Sequence, residues 1–195
     1  MYVDYSLRHA LNESVEQVQR SEWQKDLLVD NLMLLSKYEN ASLENFCLEK
    51  DGQKLYLRAL VDNQPTLLIS FSDLHCSSCI HSLFNVINQY VSEIPEKRVI
   101  IIGRFQNKRS FSAFQTNQNI EYPVCFVQEK DSNLSLLSEE NLPFICLVDS
   151  SLKVQNLHIP IKEIPKHTKR YMNMIIRRFF TASCDSTSSH SEQRS

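Results

Sequence analysis

Two cysteines separated by two serines are the residues of this sequence with the clearest chemical use. Cys76 and Cys79 follow an apolar run, 66–71, that is typical of a buried strand, and they precede a stretch with helical periodicity, 80–91. Cysteines at this spacing on a helix lie one turn apart, which is close enough for a disulfide. At a helix N-terminus, free N–H groups and the helix dipole stabilise a thiolate. The pattern therefore predicts that Cys76 attacks a disulfide and that Cys79 resolves the mixed disulfide.

The composition excludes several other classes of function. The chain has 195 residues and a formal net charge of -2 with mixed signs, so no basic surface for nucleic acid is indicated. Two glycines, Gly52 and Gly103, are too few for a glycine-rich phosphate loop. The sequence has no run of about 18 apolar residues, and its first residues lack the basic-then-apolar order of a signal peptide. We therefore expect a soluble chain that needs no cofactor.

The other four cysteines are expected to play no part in this chemistry. Cys47, Cys125 and Cys146 each stand between apolar neighbours, so we predict small buried hydrophobic residues in strands. Cys184 lies in a polar tail. A chain long enough to form its own core does not need a disulfide framework, although the total number of cysteines is even.

A zinc site is an alternative use of the same segment. His75, Cys76, Cys79 and His81 offer four candidate ligands within seven residues. Adjacent His and Cys side chains rarely converge on one tetrahedral metal, and the chain has no second Cys-x-x-Cys pair. We therefore expect no metal. A peroxidatic cysteine of the peroxiredoxin type is also excluded, because it requires Thr three residues earlier and position 73 is Asp.

The remaining sequence predicts alternating helices and strands. Residues 6–38 have helical periodicity, with a break expected near residue 13 because Ser14 opens a capping-box pattern. The further elements are a hairpin at 44–61, strands at 97–103, 122–127, 144–149 and 153–158, short helices at 110–115 and 135–140, and a helix at 165–180. We divide the chain into a helical extension (1–40), an α/β domain (41–180) and a disordered tail (181–195).

With these elements placed, residues 44–178 resemble the thioredoxin superfamily. The resemblance is strongest to the thiol–disulfide oxidoreductases of bacterial cell envelopes called TlpA-like or ResA-like. Three segments carry it: the hairpin with Phe46, Leu48, Asp51, Gly52, Leu55 and Leu57, the strand and loop at 67–79, and the segment 141–149. The resemblance implies a thioredoxin-like fold, in which helices flank a central mixed β-sheet, here with an N-terminal helical extension.

The resemblance also implies further site residues and partners. Pro143 matches the proline that has a cis peptide bond and faces the active cysteine, and Leu142 would offer its backbone to a substrate chain by strand addition. His75 stands just before the first cysteine, where many relatives have Trp. It either stabilises the Cys76 thiolate through its charged form or is a solvated loop residue. The implied partners are protein thiol or disulfide substrates and an upstream thiol donor.

Departures from the family pattern leave two functional hypotheses. Ser70 stands where thioredoxins have a buried acid, and Ser77-Ser78 replaces a dipeptide that usually contains Pro. The favoured hypothesis is a thiol–disulfide oxidoreductase. Its first helical turn is expected to hold the pKa of Cys76 below the free value of about 8.5, with solvent moderating the effect. The alternative is a redox-weak binding or scaffold protein that assembles through its N-terminal helix.

Two locations stay open at this point. The family resemblance implies the cell envelope, with the N-terminal helix close to a membrane anchor. The absence of an export signal and the presence of several further cysteines fit the cytosol instead.

Overall fold

The computed structural model describes residues 2–61, 63–117, 120, 122–128 and 142–181. The chain falls into two compact units, Met1–Tyr38 and Glu39–Ser195. The short helix expected at 135–140 lies outside the described residues. So does the expected tail, apart from Thr181.

The first unit is a single helix, α1 (Tyr2–Tyr38). The break expected near residue 13 is wrong. The Ser14 hydroxyl donates to the carbonyl of Ala10 at 2.9 Å, so it bonds within the helix and does not cap a new one. His9 and Glu13, one turn apart, add a side-chain contact of 3.3 Å across the same point. No helix in the described part of the chain is long and apolar enough to span a membrane.

The second unit is built on a mixed sheet, which has seven strands within the described residues. The strands are β1 (Cys47–Lys50), β2 (Gln53–Tyr56), β3 (Thr66–Ser72), β4 (Val99–Phe105), β5 (Val124–Gln128), β6 (Phe144–Val148) and β7 (Val154–His158). Their order across the sheet is β2-β1-β5-β4-β3-β6-β7. The central strands β3, β4 and β5 are parallel, and the other pairings are antiparallel.

Four α-helices belong to this unit in the described residues: α2 (Leu57–Leu60), α3 (Ser77–Ile87), α4 (Lys108–Asn117) and α5 (Pro165–Phe179). Every residue of β3 is buried, as predicted for the strand at 66–71. One hydrophobic cluster joins alternate residues of β3 to α3 and α5: Leu67, Ile69, Phe71, Leu83, Phe84, Ile87, Met172, Ile175 and Ile176. This packing fixes α3 against the sheet, with its N-terminus just beyond the end of β3.

The hairpin differs from the prediction in two respects. Its second strand ends at Tyr56, and the next four residues form α2. Cys47 is exposed, whereas its neighbours Phe46 and Leu48 are buried. Because successive side chains of a strand point to opposite faces, two buried neighbours place the residue between them in solvent. The prediction of a buried Cys47 is therefore wrong.

The outer edge of β7 is partly covered by the chain segment that precedes β1. Ser42 forms an isolated antiparallel bridge with Lys153. The Glu39 carboxylate accepts hydrogen bonds from the backbone N–H groups of Asn156, at 3.0 Å, and Leu157, at 3.3 Å. Backbone groups that a free edge would expose are thus occupied at both ends of this strand.

Candidate redox site

The loop between β3 and α3 is fixed by hydrogen bonds to its own residues and to the end of β4. The Ser72 hydroxyl accepts the Leu74 N–H at 3.1 Å. Asp73 donates its N–H to the Arg104 carbonyl at 3.1 Å, and its carboxylate accepts the Gln106 N–H at 3.2 Å. The loop is therefore held by two neighbouring strands, and it delivers Cys76 to the start of α3 in a defined position.

His75 lies inside this turn. It is only 7% exposed, and its Nδ1 accepts the Ser72 N–H at 3.1 Å. The interpretation of His75 as a solvated loop residue is therefore wrong. An imidazole nitrogen that accepts a hydrogen bond carries no proton, so this contact requires a neutral ring with its proton on Nε2. In this conformation His75 shapes the loop, and the charged form that would attract a thiolate would have to break this hydrogen bond.

Cys76 and Cys79 are joined as a disulfide, with their Cα atoms 5.3 Å apart. Cys76 is the N-cap residue of α3, and its Sγ accepts the Cys79 N–H at 3.1 Å. The Ser78 hydroxyl lies 3.5 Å from the same sulfur. Cys76 is exposed and Cys79 is half-buried. The expected pairing is present, and its exposed member, Cys76, receives donors from the first turn of the helix.

A lysine from another part of the chain reaches this site. Lys162, in the connection between β7 and α5, donates from Nζ to the Ser78 hydroxyl at 3.4 Å. Glu163 lies beside it, with 3.7 Å between the ammonium and the carboxylate. Sequence reasoning missed this residue because it is 84 positions from Ser78 and belongs to no motif. The antiparallel run of β6 and β7 brings the connection back to the Cys76 end of the sheet.

Leu142 and Pro143 lie at the same end of the sheet. β6 runs antiparallel to β3, and Ser70 pairs with Phe144, so the two residues that precede β6 lie beside the end of β3. Pro143 is buried and Leu142 is half-buried. The expected cis bond is wrong, because the described residues contain no cis peptide bond. An X-Pro bond favours the trans form by about 0.5–1 kcal/mol, and only the resemblance argued for the cis form.

Two serines and an arginine lie on the strands next to the loop between β3 and α3, whereas thioredoxins have a buried carboxylate in the strand that matches β3. Ser70 is fully buried, and its Oγ has no hydrogen-bond partner among the described residues. Ser72 pairs with Arg104 across β3 and β4, and Arg104 is also buried. The lack of an acid at position 70, noted from the sequence, is therefore not offset by an acid at these neighbouring strand positions.

The buried cysteines have the opposite electrostatic environment from Cys76. Burial raises the pKa of the Cys125 thiol to about 11. Burial, with a smaller contribution from Glu39, also raises the pKa of Cys146. Both thiols stay protonated at neutral pH and are poor nucleophiles, as expected for residues of the core.

The zinc alternative gains no support from the geometry. Its two cysteine sulfurs are bonded to each other. In the described part of the chain, no three His, Cys, Asp or Glu side chains lie close enough together to hold a metal ion.

Several known structures share this fold at low sequence identity. A protein of Chlorobium tepidum described as the thiol:disulfide interchange protein DsbE is similar over 70% of this chain and 96% of its own, with a TM-score of 0.54 and 16% identity. A protein of Bacteroides thetaiotaomicron described as a protein disulfide isomerase covers 71% and 90%, with a TM-score of 0.54 and 15% identity. A thiol-disulfide isomerase of Corynebacterium glutamicum covers 73% and 97%, with a TM-score of 0.52 and 15% identity.

By sequence alone, no protein-family model and no curated protein matches the chain. The fold assignment therefore rests on the structure: the order of strands around a central mixed sheet, and a close cysteine pair at the start of the helix after a central strand. The chain has a thioredoxin-like fold, as its sequence predicted.

Proposed function

We propose that the protein is a thiol–disulfide oxidoreductase that reduces or exchanges disulfides in protein substrates through the Cys76–Cys79 couple. The observation that supports this most directly is the disulfide at the N-terminus of α3, with Cys76 exposed and Cys79 half-buried. An exposed sulfur at a helix start can meet a substrate, while its thiolate is stabilised by the helix.

The reaction proceeds in two exchange steps. The Cys76 thiolate attacks one sulfur of a substrate disulfide, forms a mixed disulfide and expels the other substrate sulfur as a thiolate. Cys79 loses its proton to solvent and attacks the Cys76 sulfur. The bond between Cys76 and the substrate breaks, a second substrate thiolate leaves, and the Cys76–Cys79 bond forms. Two electrons pass to the substrate, and an upstream thiol donor restores the dithiol.

The fixed donors at Cys76 favour it over Cys79 as the attacking group. The Cys79 N–H already points at the Cys76 sulfur at 3.1 Å, and the Ser78 hydroxyl lies 3.5 Å away. Donors of this kind stabilise a thiolate and lower the pKa of its thiol. We therefore keep the expectation that the pKa of Cys76 lies below the free value of about 8.5.

The substrate chain is proposed to bind beside Cys76 along the residues that precede β6. The backbone of Leu142 would pair with an extended substrate segment, as in strand addition. Its position at the end of β3, fixed by the pairing of Ser70 with Phe144, supports this role. Pro143 would contribute its rigid backbone without an N–H donor.

Trapping of mixed disulfides tests the roles. Cys79→Ser, incubated with an oxidised protein substrate, is expected to accumulate a mixed disulfide at Cys76, detected by mass spectrometry. Cys76→Ser should accumulate none. Cys47→Ser is the matched control, because it removes an exposed cysteine outside the pair and should leave turnover of insulin with a dithiol donor unchanged. Trapping by Cys76→Ser alone would reverse the roles, and loss of turnover in the control would contradict the assignment.

A second candidate function is assembly through α1. This helix exposes large apolar side chains, among them Leu11, Val15 and Val18, at alternating spacings of four and three residues. Such spacing is typical of a seam between two helices, so a second copy of this chain would be the partner. Sedimentation of the full chain tests it: a dimer that Val15→Glu converts to a monomer supports assembly, and a monomeric wild type contradicts it.

A further inference from the structure

Lys162, Ser78 and Cys76 form a chain of three polar groups that ends at the reactive sulfur. Lys162 Nζ lies 3.4 Å from Ser78 Oγ, and Ser78 Oγ lies 3.5 Å from Cys76 Sγ. The two hydrogen bonds join the connection between β7 and α5 to the first turn of α3. None of the motifs used to identify the site contains Lys162.

The direction of these two hydrogen bonds follows from the chemistry of the groups. An ammonium group has donors only, so the Ser78 hydroxyl must accept from Lys162. A disulfide sulfur has no hydrogen to donate, so the hydroxyl hydrogen of Ser78 is the one available to Cys76. After reduction the same orientation suits a thiolate, which only accepts. A hydroxyl that accepts from a cation is polarised and becomes a stronger donor.

The loop that carries Lys162 is anchored on both sides. Ile159 and Ile164 are both buried, at 4% exposure. The Ile164 N–H donates to the Ile161 carbonyl at 3.0 Å, which closes a tight turn around Lys162. The side chain of Lys162 is itself 40% exposed, so the turn positions the ammonium group while water still reaches it.

Three other titratable groups near the site, Glu163, Asp73 and His75, do not supply a positive charge in its place. Glu163 lies 3.7 Å from the ammonium and opposes its effect on a thiolate. The Asp73 carboxylate accepts the Gln106 N–H, which directs that oxygen toward β4. His75 is neutral in the observed hydrogen bond with Ser72.

We propose that Lys162 is a positioning residue of the redox site, which stabilises the Cys76 thiolate through the Ser78 hydroxyl. This role rests on the proposed function only in assuming that Cys76 reacts as a thiolate. The cation favours the reduced couple, because it stabilises the Cys76 thiolate that forms when the disulfide is reduced.

Thiolate absorbance of Cys76, titrated in the Cys79→Ser background, tests the proposal. The signal of the Cys76→Ser, Cys79→Ser variant is subtracted, because the other cysteines also absorb. Lys162→Gln should raise the pKa of Cys76 by about 0.5–1, the effect of one cation that acts through a hydroxyl near the surface. Lys162→Arg, which keeps the charge, should restore most of the difference.

Two further variants test whether the effect of Lys162 is local and passes through Ser78. Lys97→Gln is the matched control, because it removes the same charge from an exposed position just before β4, at the opposite end of the sheet. It should leave the pKa of Cys76 unchanged. Ser78→Ala should also raise this pKa, and Lys162→Gln should add little to it, because both changes break one chain of hydrogen bonds.

The proposal is overturned if Lys162→Gln leaves the titration midpoint unchanged, if Lys97→Gln shifts it equally, or if the two changes at Lys162 and Ser78 add in full. The titration does not depend on turnover. A chain that shows the expected shifts but reduces no substrate would contradict the proposed function and leave the role of Lys162 standing.

Discussion

Replacement of His158 by Gln tests how burial of a titratable group sets the stability of this fold. The His158 ring, at the end of β7, stacks on Tyr171 with ring centroids 4.5 Å apart. Its Nε2 lies 3.1 Å from the Thr168 hydroxyl. Burial lowers the pKa of His158 from 6.5 to about 4, and the nearby His167 acts in the same direction. The native ring is therefore neutral at every pH above this value.

The sign of the pH effect follows from proton binding. Between about pH 4 and pH 6.5 the unfolded chain binds a proton at His158 and the native chain does not. Stability contributed by the neutral ring is thus complete above the unfolded pKa of 6.5, and it is lost as the pH falls toward 4. At 1.36 kcal/mol for each unit of difference in pKa, the free energy of unfolding should fall by about 2–3 kcal/mol between about pH 7.5 and pH 4.5.

Urea unfolding with the disulfide intact, repeated across this range, measures the effect. At about pH 7.5 His158→Gln should be less stable than wild type by about 1 kcal/mol, through loss of ring stacking and a weaker bond to Thr168. Its stability should then change less with pH, so that the two curves cross as the pH falls and the variant is the more stable protein at about pH 4.5. His81→Gln, an exposed change on α3, is the control and should follow wild type. Parallel curves for His158→Gln and wild type would refute the reasoning.

Two further predictions concern packing and exposure. In Gly103→Ala the new Cβ would lie 2.8 Å from Cε2 of the buried Phe105, so urea unfolding should show a loss of about 1–3 kcal/mol, and an unchanged midpoint would contradict the close packing. In the native, oxidised protein a maleimide should modify Cys47 well before Cys125 or Cys146, as peptide mapping would show. Faster labelling of either buried thiol would contradict the assigned exposures.

The central strands could be predicted because their signal is local. Residues 67–71 and 99–105 are mostly apolar, which is the pattern of strands buried on both faces. The start of α3 was predictable for the same reason, since Cys76 and Cys79 are close in sequence and share one helical turn. A pattern confined to a short segment predicts structure reliably because it does not depend on contacts with the rest of the chain.

The errors arose where one local pattern allowed two structures. Ser14 can cap a helix or donate back to a carbonyl inside one, and the sequence does not decide between them. Phe46, Cys47 and Leu48 are all apolar, so composition hides the alternation that places the middle residue in solvent. Both cases were decided by the surrounding structure and not by the residue type.

The features of the site that could not be predicted from the sequence depend on contacts that the sequence does not show. Lys162 reaches Ser78 only because β7 runs antiparallel to β6 and returns the chain to the Cys76 end of the sheet. The burial of His75 likewise depends on a bond to the backbone of Ser72 that no spacing rule indicates. Residues that can react are easier to recognise in a sequence than residues that adjust their reactivity.

The edges of the sheet bear on how the protein avoids aggregation. A long free edge is a template on which other chains can add strands and grow into fibrils. Here β2 is only four residues long, carries the exposed Lys54 and leads directly into α2. At the other edge, Ser42 and Glu39 occupy backbone groups of β7. An extended polypeptide is thus discouraged from both outer strands, and the substrate segment proposed to pair beside Leu142 would bind at the loop end of the sheet, where Cys76 lies.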